Sequence, residues 1–319
     1  MHHPTPHWSQ TSSQLLRACP RAWALTYGQS DTPVSSTRLN AQRLQRPRTA
    51  LEGAVRALRA TWIERMKDHF LGKIWSPRYR MQRTRIHLED ALMMAGIESP
   101  PAHVDMAVGR AHEQLRRLED TLSLRPVFSS HAARWAYFER WQSAQLHGVE
   151  LYAAPDVAVY HQHKWVLVRI QFRSPTHPPF SQQLEHLLMV HWAMAQPGFP
   201  NEPDAYSVKV VRWNRSRWLE HHLAITSTLL DQALSLVHHD RQEMQWLLRS
   251  TLADPQLTSI PLASEERTCG GCHHRTGCPA KDGLAKARLF QERALRAFQS
   301  DETKSANTCL LYTSPSPRD

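Results

Sequence analysis

Two groups of residues in this sequence are of the types and spacings that do chemistry. Near the C-terminal end the chain reads TCGGCHHRTGCP, with two residues between Cys269 and Cys272 and five between Cys272 and Cys278. Three thiols this close in a chain without an export signal argue for a metal rather than disulfides, because one tight loop brings them to a single centre. Gly270 and Gly271 let that loop turn sharply. The fourth thiolate has to come from elsewhere in the chain, and Cys19 is the candidate. Spacing alone leaves zinc and an iron–sulfur cluster both open, and His273 or His274 would serve in place of Cys19 in a Cys3His zinc site. The second group lies in Gly148–Ser174, GVELYAAPDVAVYHQHKWVLVRIQFRS. Pro155-Asp156 opens one β-patterned run and Gln171-Phe172-Arg173 closes the next. An acidic residue on one strand facing a polar site at the end of its neighbour is an arrangement that holds a divalent cation for phosphodiester hydrolysis.

Several elements have to position these groups. From Trp8 to Tyr27, Ser12 or Ser13 caps a helix whose stripe is Leu15, Cys19, Trp23 and Tyr27, with Pro20 limiting its regularity. Residues 28–48 are polar and predict a linker. Leu51 to Phe70 and Met81 to Leu124 are helical in pattern, interrupted at Ser99-Pro100-Pro101. From Ala133 the period changes to two, through Trp135, Tyr137, Glu139 and Trp141, and strands are predicted at Val149–Ala153, Asp156–Tyr160 and Trp165–Phe172. A helix over Ser181–Ala195 buries Leu184, Leu187, Leu188 and His191. A strand pair over Tyr206–Trp213 and Arg217–Ala224 and a long helix over Thr226–Leu248 complete the order. This order predicts an α/β fold with a mixed central sheet and a helical insertion. The expected divisions are 1–48, an N-terminal helix and linker; 49–130, the helical insertion; 131–250, the core; and 251–308, the cysteine region with a final helix. Residues 309–319, CLLYTSPSPRD, resemble one reading frame through a sequencing-library adaptor and are expected to be an assembly scar, which removes Cys309 from the cysteine set.

With 319 residues, 41% of them hydrophobic, the chain is long enough for a large core. No run of about 18 apolar residues occurs and the first residues lack a secretory pattern, so the expectation is a cytoplasmic protein with no membrane association. Lys and Arg outnumber Asp and Glu by 39 to 29, which favours a polyanionic partner. Eleven tryptophans add base-stacking surfaces, although most are expected in the core.

Taken together, Leu15-Leu16-Arg17-Ala18-Cys19-Pro20-Arg21, the Pro155-Asp156 strand, the Gln183-Leu184 helix and the late cysteine trio resemble the RecB/AddB-type PD-(D/E)XK nucleases. The subgroup carries a 4Fe-4S cluster and includes the CRISPR-adaptation nucleases. The resemblance spans residues 8–280 and implies a restriction-endonuclease-like core with Cys19, Cys269, Cys272 and Cys278 on the cluster, zinc being the alternative. It implies DNA as partner, single-stranded or at duplex ends, and a separate helicase or other repair subunit, since no phosphate-binding loop is present. In that family the acid at the position of Asp156, a second acid where Gln171 stands and a Lys where Arg173 stands serve catalysis with Mg²⁺ or Mn²⁺. A Gln such as Gln183, with a Tyr four residues later, contacts the site or the DNA.

This sequence keeps Asp156 and Gln183 and departs at Gln171, at Arg173, at Leu187 in place of Tyr, and around Arg56-Ala57, where a His would stand. Gln offers a neutral oxygen in place of a charged one, and a hard dication loses one unit of attraction. Arg does not release a proton near neutral pH and suits a phosphate better than a nucleophilic water. The expectation is a DNA-processing protein with weakened or lost hydrolysis. Two other readings compete with it: an active nuclease using Asp156 with a migrated acid, Glu139, Glu150 or Glu185, and a zinc-stapled scaffold for protein partners.

Overall fold

The computed structural model describes residues 7–28, 49–129, 131–132, 134–173, 178–254 and 256–296. Most of the expected linker and the adaptor-like segment lie outside these residues. The chain forms two compact units, Met1–Gln10 with Gln45–Arg241, and Thr11–Leu44 with Gln242–Asp319.

The first unit is mixed α/β. Its strands are β1 (Trp8–Ser9), β2 (Trp135–Tyr137), β3 (Ala144–Leu146), β4 (Val149–Tyr152), β5 (Val157–His161), β6 (Lys164–Gln171), β7 (Tyr206–Asn214) and β8 (Arg217–Leu223). They form a five-stranded sheet in the order β2-β5-β6-β7-β8 and a three-stranded sheet in the order β1-β4-β3. In the larger sheet β6 and β7 run parallel and the other pairs antiparallel. The β5–β6 hairpin turns on Gln162 and His163, both left-handed with φ of 51° and 63°, the geometry a two-residue turn needs to match strand twist. Strand β2 is shorter than the alternation through Trp141 predicts. The chain turns at residues 139–142, where the Gln142 N–H reaches the Glu139 carbonyl at 2.9 Å, because Arg140 is drawn toward Asp156.

Alternation along β6 sorts its side chains between two cores. Val166, Val168 and Ile170 join Val157, Leu58, Trp62 and Leu115 on one side, whereas Leu167 joins Ala158, Leu184, Leu188 and Val208 on the other. Of the helices of the insertion, α3 (Ala50–Phe70), α4 (Pro77–Ala95), α5 (Pro101–Glu119) and the short α6 (Arg125–Phe128), the first side is covered by α3, α5 and α6, and α4 packs on α3 and α5 through Leu88 and Leu92. Their ends follow from local chemistry. Thr49 caps α3 by accepting the Glu52 N–H, Ser76 caps α4 ahead of Pro77, and Gly96 closes α4 in the left-handed region at φ 65°. The second side is covered by α7 (Phe180–Met194), the crossover between the parallel strands, and by the first part of α8 (Ser227–Ala253). Burying a Leu or Val here contributes about 1.5–3 kcal/mol each, which fixes the register and hence the direction in which Asp156, Arg169 and Gln171 point.

The second unit contains α1 (Gln10–Ala18) from Thr11 on, α2 (Pro20–Trp23) with a π-helical turn over Ala24–Gly28, the end of α8, α9 (Glu266–Gly270) and a helix over residues 284–296. The single helix expected from Ser12 to Tyr27 is broken at Cys19, which is extended at φ −162° and caps α2. Pro20 causes the break by disfavouring helical geometry at the residue before it. Leu16, Trp23, Met244, Leu247 and Ile260 form one core cluster of this unit, and buried Arg21 donates to the Gln256 and Leu257 carbonyls. Among the described residues, no helix is long and apolar enough to cross a membrane.

Candidate functional site

Asp156 precedes β5 and is fixed at both ends of its backbone, its N–H on Val168 and its carbonyl accepting from Phe138. Its carboxylate is 13% exposed and almost fully engaged. Arg140 binds it in a two-pronged manner, Nε to Oδ1 at 2.8 Å and Nη2 to Oδ2 at 3.0 Å. The Ile170 N–H donates to Oδ2 at 2.7 Å and Arg169 Nη1 stands 3.6 Å from the same oxygen. Arg169 is buried in β6 and donates through Nη2 to the Ala154 carbonyl at 2.7 Å. Burial alone would raise the Asp156 carboxyl, but Arg140, Arg169 and the Ile170 amide outweigh it and hold it well below the usual carboxylate range.

The surroundings of Asp156 are cationic. The Arg169 guanidinium is pushed down to about 10 by burial, with Asp156 opposing and Arg140 and Arg59 adding repulsion. Arg59, on α3, is also brought down to about 10, by Arg140 first and burial second. His186 on α7 is pushed to about 3 by burial and then by Arg169 and Arg140, so its imidazole is neutral at pH 7. Two guanidinium groups thus stand at the carboxylate where a dication would need negative charge, and the arrangement favours an anion over Mg²⁺ or Mn²⁺.

The sequence-predicted residues divide. Gln171, at the end of β6, places Nε2 3.2 Å from His186 Nε2. Glu185 is 3% exposed, accepts from Gln10 Nε2 at 2.7 Å and lies close enough to Arg169 to favour its charged form. Gln183 is exposed near Gln171 and His186, lining the same pocket. Arg173 lies past the end of β6, exposed, and lines a different groove of about 660 Å³ with Arg110, Arg215, His103, Trp213 and Phe172. No acidic residue lines that groove among the described residues. Glu150 accepts from Ser143 and Tyr152 hydroxyls at 2.9 and 2.8 Å, and Glu139 accepts from the Trp141 indole. The partners of these two acids lie outside the Asp156 cluster. Sequence reasoning missed Arg140 and Arg169. A signal for the second was present, since a lone Arg inside the apolar run WVLVRIQF must find a buried partner.

In the second unit Cys19, Cys269, Cys272 and Cys278 line one cavity of about 140 Å³, together with His273 and His274. Burial pushes the Cys19 thiol up, opposed by the Ala22 N–H and reinforced by the other three thiols; Cys269 is raised by burial, then by Glu266, Cys278 and Cys272. Among the described residues, no three His, Cys, Asp or Glu side chains are already gathered at metal-holding distances. Four thiols and two imidazoles are the donor types that four-thiolate or Cys3His ligation uses.

No family model matches the chain, and no curated protein matches it. Among solved structures the chain is similar to the crystal structure of SSO0001, at 12% identity over 69% of this chain and 94% of that one, with a TM-score of 0.28 that carries no argument.

Proposed function

We propose that this chain is a DNA-binding protein of the RecB-like PD-(D/E)XK nuclease type in which metal-dependent phosphodiester hydrolysis has been lost. The observation that carries the reading is the pairing of Asp156 with Arg140 and Arg169. A guanidinium fork takes the carboxylate oxygens that a metal would need, and the neutral Gln171–His186 pair adds no compensating charge. The chain's own residues hold Asp156 ionised and immobile and do not leave it free to bind a cation or orient a water.

The nucleic-acid part of the reading is supported by the groove of Arg110, Arg173, Arg215 and His103 beside Trp213. Cations flanking an aromatic wall suit a phosphate backbone with unstacked bases. The net charge of +10 acts in the same direction. Fluorescence anisotropy with labelled single-stranded DNA tests it. Binding is expected to weaken with salt, and Arg173→Glu or Arg215→Glu is expected to reduce the magnitude of the salt slope by about 0.7 per lost phosphate contact. Salt-independent or absent binding would remove the DNA reading.

For the cysteine centre the proposed ligand set is Cys19, Cys269, Cys272 and Cys278 with a 4Fe-4S cluster, which would serve as a structural tie between α1–α2 and the C-terminal segment. The cavity is lined by His273 and His274 as well, so a Cys3His zinc site is the alternative.

A further inference from the structure

A second polar pocket, distinct from the Arg173 groove, opens at the carboxyl ends of the parallel strands β6 and β7. It holds about 470 Å³ and lies between the first turn of α7 and the sheet face formed by Gln171, Arg212 and His221. The register explains the convergence. Gln171 pairs with Arg212 across β6 and β7, and Val210 pairs with His221 across β7 and β8, so alternate residues of all three strands point to the α7 side.

Three polar atoms around this pocket are buried and have no hydrogen-bond partner among the described residues: Gln182 Oε1, Arg212 Nε and His221 Nε2. Gln182 is 9% exposed. Buried polar groups are nearly always satisfied, and these three side chains all line this one pocket. A partner must supply an acceptor for the Arg212 N–H and a donor for the Gln182 oxygen. Burial and then Arg212 lower the His221 imidazole, while His186 is neutral, so Arg212 provides the pocket's lasting charge. No carboxylate lines the pocket among the described residues.

We propose that this pocket binds a nucleoside monophosphate unit, with the phosphate on Arg212 and His221 and the edge of the base on the Gln182 carboxamide. A carboxamide presents the paired donor and acceptor that a base edge complements, and an Arg with no opposing acid suits a phosphate. The volume falls within the range of roughly 300–1,000 Å³ that small-molecule sites occupy. Crevices at the carboxyl ends of parallel strands are where α/β sheets bind ligands. The unit is either a free nucleotide or the 5′-phosphorylated end of a single strand. The inference extends the nucleic-acid reading above but uses none of its groove residues.

Isothermal titration at low salt with the four deoxynucleoside monophosphates, the matching nucleosides, inorganic phosphate and a 5′-phosphorylated single-stranded oligonucleotide tests it. Saturable nucleotide binding is expected, weaker by about tenfold in Arg212→Gln and in Gln182→Leu, as loss of one hydrogen bond to a charged or buried group implies. Arg212→Lys should recover part of the loss. Gln145→Leu, the same chemical change on exposed β3, should leave binding unaltered. Gln182→Leu should weaken nucleotides and leave inorganic phosphate unchanged. If Gln182→Leu does not fold by circular dichroism, the Arg212 pair decides. An oligonucleotide response to these variants identifies a strand end as the source, and a response of free nucleotides alone identifies the small molecule. Absence of saturable nucleotide binding, or binding unchanged in both Arg212→Gln and Gln182→Leu, overturns the proposal. Oligonucleotide binding that is lost in Arg173→Glu but unchanged in Gln182→Leu would leave the nucleic-acid reading standing without this pocket.

Discussion

At the scale of single residues, the account rests on Arg169. Its side chain is 6% exposed and Asp156 is 13% exposed, so each is the other's desolvated partner, with Arg140 completing the carboxylate. Removing one member of such a set leaves an uncompensated charge. Arg169→Met is expected to lower unfolding free energy by roughly 3–5 kcal/mol, and Arg169→Met with Asp156→Ala by less than the sum of the two single changes. Urea denaturation of the cycle measures this, and strict additivity would mean that the pair is not coupled. His186 gives a pH signature. Its folded value is pushed from the ordinary 6.5 down to about 3, so the unfolded chain binds the proton more readily between those values. Its contribution to stability is complete above about pH 6.5 and falls progressively as pH drops toward 3. The Asp156 contribution has a different window, being present above the ordinary carboxylate range and lost only in stronger acid. Urea midpoints followed from pH 7 to pH 4 should decline more steeply in the wild type than in His186→Gln.

Among secondary-structure elements, legibility in the sequence followed the strength of the periodic signal. The long runs were plain. The pattern predicts a helix over Thr226–Leu248, which the structure extends to Ala253, and strands over Tyr206–Trp213 and Arg217–Ala224, observed within a residue at each end. The failures had local causes. Residues 139–142 alternate like a strand, yet an ion pair to Asp156 bends the chain there, and pairwise tertiary attraction is invisible to a period count. The break at Cys19 was half-legible, because Pro20 announced irregularity without saying that Cys19 itself would become the cap of α2. The expected catalytic trio was least legible. Gln171 and Arg173 are two residues apart, but β6 ends between them, and their side chains line different pockets. Cys19 and the distant trio Cys269, Cys272 and Cys278 line one cavity, a placement that spacing within the trio could not give for Cys19. Anaerobic purification followed by iron, sulfide and zinc analysis checks the centre at this scale. Iron and sulfide near four each per chain, as a 4Fe-4S cluster requires, are expected in the wild type and are lost in Cys269→Ser. Stoichiometric zinc without iron would replace the cluster with a zinc site.

For the whole molecule, the mixed α/β architecture was legible in the order of helices, strands, crossover and strands. The function was less so, since it depends on which charges meet at one carboxylate. The excess of 39 basic over 29 acidic residues favours a polyanion, while the same excess at Asp156 opposes a dication. Binding without cutting is therefore the central claim. The most direct measurement is a cleavage assay on labelled single- and double-stranded DNA with Mn²⁺, run beside Asp156→Ala. The account predicts no cleavage above the Asp156→Ala background. Cleavage by the wild type that vanishes in Asp156→Ala would contradict it and would mean that Asp156 exchanges its arginines for a metal.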